Sequence, residues 1–132
     1  MIITIDHTSS DPLYQQIYNQ IIAGIATGEL EPGTSLPSVR MLASDLGINL
    51  HTVNKAYAVL RDEGYVIMRG RAGAVIAHPD DAHRQDKQEQ TRRGLEEDLF
   101  RLALAYRASG ASQQDFLTLI HQQADRIWNT PN

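Results

Sequence analysis

Apolar residues return every fourth position at Leu13, Ile17, Ile21 and Ile25, with Tyr14, Tyr18 and Ile22 alongside. That spacing predicts an amphipathic helix with one face on a core. A β-branched stretch at residues 2–5 and the turn-forming run His7-Thr8-Ser9-Ser10-Asp11 come before it. Pro12 suits the first helical position, Ser10 or Asp11 can accept from the unpaired backbone donors, and Gly28 is the expected stop. Residues 29–37, broken by Pro32-Gly33 and Pro37, read as a structured loop. Ser38 then opens a short helix with Val39, Leu42, Ala43 and Leu46 on one face, and Gly47 ends it. Asn49 follows at once as an N-cap, and Val53, Ala56, Tyr57 and Leu60 mark the buried stripe of a third helix running to near Gly64. Two short helices across a glycine-containing turn make a helix-turn-helix.

Beyond Gly64 the pattern changes. Tyr65-Val66-Ile67-Met68-Arg69 predicts a strand, Gly70-Arg71-Ala72-Gly73 a tight connection and Ala74-Val75-Ile76 the returning strand, a small hairpin or wing. Residues 78–93 are polar, contain a Pro79-Asp80-Asp81 break, and read as a linker running into a helix. Leu95, Leu99, Leu102 and Tyr106 then fall at helical spacing, Ser109-Gly110-Ala111-Ser112 interrupts them, and Phe116, Leu119, Ile120, Ala124 and Ile127 resume. The predicted fold class is mainly α with a small β wing: a winged helix-turn-helix over residues 1–78, then a linker and a short helical hairpin over 79–132.

Composition narrows the function. A chain of 132 residues can hold one full domain, or one small domain plus a short helical appendage, with little room for a separate catalytic domain. No apolar run reaches the length of a membrane span, and the first residues lack the regions of a signal peptide, so a cytoplasmic protein with no membrane partner is expected. The absence of cysteine rules out disulfides, thiolate metal sites and cysteine nucleophiles. His78 and His83 lie near Asp80 and Asp81, but His7, His51 and His121 are far away in sequence and no His-x-x-x-His spacing occurs, so no metal is expected. No glycine-rich phosphate loop, serine-centred elbow or carboxylate dyad is present, and neither an enzyme nor a cofactor is predicted.

The net charge of −4 argues at first against a nucleic-acid partner. Distribution softens the objection. Residues 1–78 are themselves slightly acidic, with Arg40, Lys55, Arg61, Arg69 and Arg71 against Asp6, Asp11, Glu29, Glu31, Asp45, Asp62 and Glu63, but the basic side chains come mostly late and four of the acids early. A basic face on an acidic body is compatible with that order.

In a helix-turn-helix the second helix enters the major groove with its N-terminal residues against base edges. With Asn49 as cap, Leu50, His51, Thr52, Asn54 and Lys55 fall in the first turns of that helix, off the Val53–Leu60 stripe. Asparagine pairs with adenine, threonine or leucine touches the thymine methyl, and histidine or lysine donates to guanine or phosphate. The other reading of this surface is an ordinary solvated helix face. Ser38 and Arg40 begin the preceding helix within reach of phosphate, with a surface ion pair as Arg40's alternative. Arg69 and Arg71 flank Gly70 at the wing tip and suit a minor groove, or else simply solubilise a hairpin turn.

Several runs together carry a family resemblance. Pro12-Leu13-Tyr14-Gln15-Gln16-Ile17, then Gly28-Glu29-Leu30-Glu31-Pro32-Gly33-Thr34-Ser35-Leu36-Pro37-Ser38-Val39-Arg40, then Thr52-Val53-Asn54-Lys55-Ala56-Tyr57 with Gly64-Tyr65-Val66 resemble the GntR family of bacterial regulators, in particular its short YtrA-like branch. The match covers about residues 11–76. It implies a winged helix that binds an inverted-repeat operator in double-stranded DNA as a homodimer, with contacts on Arg40, on residues 49–52, on Asn54 and on the wing. The family's wing usually reads Gly-x-Gly-Thr, of which Arg71-Ala72-Gly73-Ala74 keeps only the second glycine.

The remaining C-terminal residues are too few for the ligand-binding domain of larger GntR regulators or for the aminotransferase-like domain of another branch. The YtrA-like branch carries a short helical dimerisation element instead. Leu95, Leu99, Leu102, Tyr106, Phe116, Ile120 and Ile127 have its character, since a two-helix hairpin cannot bury both stripes by itself. Packing of the tail on its own winged helix is the competing reading. A repressor is the expected role, a winged-helix protein-interaction module is the alternative, and no effector is identified.

Overall fold

The computed structural model describes residues 2–129. The elements run α1 (Leu13–Thr27), α2 (Val39–Leu46), α3 (Leu50–Asp62), β1 (Val66–Met68), β2 (Ala74–Ile76), α4 (Ala82–Ala108) and α5 (Gln113–Trp128). The chain divides into two compact units, one ending at Lys87 and the other beginning at Gln88. The fold class is as expected from the periodicity, mostly helical with one small antiparallel sheet.

In the first unit α1 and α2 both pack on α3. Ile17 and Ile21 from α1, Leu42 and Ala43 from α2, and Val53, Ala56 and Leu60 from α3 meet Val66 and Ile76 of the strands in one core. Ile17, Ile21, Val53, Leu60, Val66 and Ile76 are fully buried, each contributing about 1.5–3 kcal/mol by leaving water. Leu30 and Leu36 close the core from the loop between α1 and α2.

That loop does more than connect. Ser35 bridges Val75, the Leu36 N–H donates to Ala74 O at 2.8 Å, and the Ile76 N–H donates to Thr34 O at 2.9 Å. Residues 33–36 therefore line the free edge of β2 opposite β1, a pairing that the Pro and Gly punctuation concealed. The wing itself pairs Val66 with Ile76, Ile67 with Val75 and Met68 with Ala74.

Two local expectations need correction. Pro12 is the cap residue of α1 rather than its first helical residue, and no side chain caps that end. The Gln16 side chain works there instead: its Nε2 donates to Asp6 O and Asp11 O, both at 3.0 Å, while its Oε1 accepts from the Asp6 N–H. One turn later Gln20 accepts from the Thr4 N–H and donates to Thr4 O, so two glutamines hold residues 2–6 against α1 as a neighbouring strand would. The second correction concerns residues 78–93, read as a linker. α4 begins at Ala82, with Asp81 accepting from the His83 N–H at 3.1 Å, and runs unbroken for 27 residues. Gln, Glu, Lys and Arg are good helix formers that need no apolar face, and Arg92–Glu96 and Arg93–Glu89 pair at the i,i+4 spacing.

In the second unit α4 ends at Ala108, Gly110 turns the chain with a φ of +95°, and Ser112 caps α5 by accepting from the Asp115 N–H at 3.1 Å. The rings of Tyr106 and Phe116 sit 6.0 Å apart beside the turn, and the Tyr106 hydroxyl donates to Asp115. No residue of α4 or α5 is buried. No helix among the described residues is long and apolar enough to cross a membrane.

Candidate nucleic-acid interface

The geometry of α3 starts with its cap. Asn49 is extended, and its Oδ1 accepts from the His51 N–H at 2.7 Å, closing the first turn. Before it, Gly47 adopts φ +67°, and its N–H bonds Ala43 O and Ser44 O, so the chain reverses between α2 and α3 within a few residues. A β-carbon disfavours that conformation, which is why glycine stands there. Ser38 caps α2 through the Met41 N–H at 3.1 Å. The two helices are pinned by Tyr57, whose hydroxyl donates to Pro37 O at 2.7 Å; burial pushes the phenol up to about 12.

With Val53, Ala56, Tyr57 and Leu60 buried, the 3.6-residue period leaves Leu50, His51, Asn54 and Lys55 exposed and Thr52 half-exposed. Asn49, His51, Thr52 and Lys55 line one shallow concavity. Its opposite wall is Pro12, Leu13 and Tyr14 at the start of α1, of which Leu13 and Tyr14 belong to the apolar stripe expected to face the core. Lys55 Nζ lies 4.0 Å from the centroid of the Tyr14 ring, a cation–π distance. The helical pattern could not reveal this, because it shows which side of a helix is apolar and not which other helix faces it.

Ser38 and Arg40 are exposed at the start of α2 and do not line that concavity. Arg69, Gly70 and Arg71 are exposed at the wing tip, where Gly70 to Ala72 form one 3-10 turn closed by the Gly73 N–H donating to Gly70 O at 3.2 Å, and the Arg69 N–H donates to Gly73 O at 2.9 Å across the base of the loop. Arg61, by contrast, sits in the last turn of α3 beside Asp62 at 3.4 Å. Among the described residues no cluster of histidines and carboxylates could hold a metal ion.

Residues 13–76, the whole span from α1 to β2, match the model of the bacterial regulatory proteins of the gntR family. A solved chain described as YtrA from Sulfolobus acidocaldarius, a GntR-family transcription factor, is 46% identical, with 72% of this chain and 98% of that one covered at a TM-score of 0.56. The chain belongs to the gntR family.

Two further relatives extend the comparison. The HTH-type transcriptional repressor YtrA of Bacillus subtilis is 46% identical over 70 residues, 52% of this chain and 54% of that protein. The HTH-type transcriptional regulator Rv1152 of Mycobacterium tuberculosis is 42% identical over 76 residues, so the match spans 58% of this chain and 63% of that relative. Both are named as transcriptional regulators, not enzymes. The DNA-binding domain of AraR in complex with operator ORX1 shares the fold at a TM-score of 0.51, with 24% identity over 58% of this chain and 96% of that one.

Proposed function

We propose that this GntR chain is a transcription regulator, acting as a repressor, that binds an inverted-repeat operator in double-stranded DNA as a homodimer. The observation that carries the reading is the first turn of α3. Its apolar side is buried, while His51, Asn54 and Lys55 stand in solvent, and Arg40 at the start of α2 is exposed as well. Those side chains suit base edges and phosphates. Asn49 spends its carbonyl oxygen on the helix cap and keeps Nδ2 as a donor toward DNA. Thr52 and Leu50 offer methyl contacts, Ser38 a hydroxyl, and Arg40, Arg69 and Arg71 charge, with Gly70 letting the wing tip approach a groove. The repressor role follows that of the B. subtilis relative, named a transcriptional repressor, and the AraR complex is a precedent for this fold on an operator.

Sequencing genomic fragments retained by the purified protein tests the reading directly. The expected result is a pair of inverted half-sites roughly one helical turn apart. On such a site Arg40→Ala and His51→Ala should each cost on the order of 1–3 kcal/mol. Retention of no fragment at low salt, or binding indifferent to both substitutions, would overturn it.

A further inference from the structure

Lysine carries its ammonium on a flexible four-carbon stem, and immobilising such a side chain at an interface costs entropy. Lys55 is restrained before any partner arrives. Its Nζ stands 4.0 Å from the centroid of the Tyr14 ring, and Tyr14 is itself half-buried against the core, so the packing of α1 on α3 sets where the ring lies. The ring covers one side of the ammonium, which has three N–H donors, and Lys55 remains exposed. Both residues line the notch shared with Asn49, His51 and Thr52.

From this arrangement we infer that Tyr14 is a positioning residue of the DNA interface. It holds the Lys55 ammonium at the rim of the notch, where a backbone phosphate next to the bases facing α3 completes a ring–ammonium–phosphate stack. The start of α1 is thereby the second wall of the DNA cleft. The inference rests on the DNA-binding reading above and adds to it a residue outside the helix-turn-helix. Because phosphate contacts carry no sequence information, the effect belongs to affinity and not to base choice.

The test is a double-substitution cycle on the full chain with Tyr14→Leu, which keeps apolar bulk without a π face, and Lys55→Met. Tyr14→Phe keeps the ring. Binding is read by fluorescence anisotropy across a salt series, on a duplex selected by the wild-type protein from a random pool and on a random-sequence duplex. Lys55→Met should reduce the slope of log affinity against log salt by about 0.9, the loss of one phosphate contact. Tyr14→Leu should weaken binding roughly two- to fivefold on both duplexes, flatten the slope in the same direction, and have no further effect in the Lys55→Met background. Tyr14→Phe should match wild type. Thermal melts separate a folding defect, which would lower the melting temperature without coupling to Lys55. If Tyr14→Leu costs as much without Lys55 as with it, or leaves binding unchanged, the inference fails while the DNA reading stands. Tighter binding by Tyr14→Leu would mean that the ring withholds the lysine, and also overturns it. Failure of wild type to bind either duplex at low salt removes both.

Discussion

Arg84, in the first turn of α4, lays its guanidinium 3.9 Å from the centroid of the Tyr65 ring, just ahead of β1. Its neighbour His83 places Nε2 3.2 Å from Asp62 O, and since a carbonyl only accepts, Nε2 carries the proton there. Between these contacts lies Gly64, buried at φ +84°, where a β-carbon would come 3.2 Å from Arg84 Cα and equally close to the His83 ring. The start of α4 is thus fastened to the corner between α3 and β1.

Gly64→Ala should therefore destabilise the protein by about 2 kcal/mol, the cost of a left-handed alanine plus the displaced turn. Arg84→Ala should cost less, about 1 kcal/mol. Urea unfolding followed by circular dichroism measures both, and a Gly64→Ala midpoint equal to wild type would contradict the close approach.

Tyr57 makes stability depend on alkaline pH. Its phenol ordinarily titrates at 10.0, and burial pushes it up to about 12 in the folded chain. Below pH 10 both states hold the proton; between 10 and 12 the unfolded chain loses it first, so stability falls as pH rises through that window. At pH 8 Tyr57→Phe should cost about 1 kcal/mol for the lost hydrogen bond to Pro37. By pH 11 the gap between wild type and variant should shrink, because phenylalanine has no proton to lose. Tyr18, raised by burial and then by its bond to Glu63, keeps a residual slope in both proteins. A gap constant from pH 8 to pH 11 would show that Tyr57 does not titrate as its burial requires.

Substitutions at Asn49 test its cap apart from its proposed contact with DNA. Aspartate caps a helix as well as asparagine, so Asn49→Asp should melt with wild type, whereas Asn49→Ala should lose about 1 kcal/mol. Toward DNA the order inverts. Asn49→Asp replaces an outward donor by a charge that phosphates repel, and should bind less tightly than Asn49→Ala in the same anisotropy assay. Equal binding by the two variants would place Asn49 outside the interface.

Much of the winged helix was legible because its signals are local. Ser38, Gly47 and Asn49 announce helix ends through their own backbone chemistry, and the Ile17–Ile21 and Val53–Leu60 stripes announce the core. What escaped notice depends on residues distant in sequence. Gln16 and Gln20 look like solvated polar positions until the extended N-terminal segment lies beside them. The Ser35–Val75 bridge joins residues whose pairing no periodicity encodes, and the notch at Tyr14 exists only once α1 crosses α3. The early part of α4 was hidden for a different reason: a helix that buries no face leaves no apolar period to read.

The tail poses the remaining problem of uncovered apolar surface. Leu95 and Leu102 are 55% and 60% exposed on the stripe that also carries Leu99, and Ile120 and Ile127 stand exposed on α5. Tyr106 and Phe116 meet at the turn, but that contact leaves the rest of both stripes in water. A second copy supplying the same stripes would cover them by symmetry, as an isologous interface requires. Phe100, 67% exposed, and Leu104 lie on another side of α4, which the spacing of Leu95, Leu99 and Leu102 does not include. The two sides make distinguishable predictions. If the stripe is the dimer face, Leu99→Asp should convert a dimer to a monomer in sedimentation velocity, while Phe100→Asp leaves it dimeric. Loss of the link between two half-site contacts should then weaken operator binding by between about 10²- and 10⁴-fold, with the melting of the winged helix unchanged. The reverse pattern would assign the interface to Phe100 and Leu104, and a monomeric wild type would remove the dimer altogether.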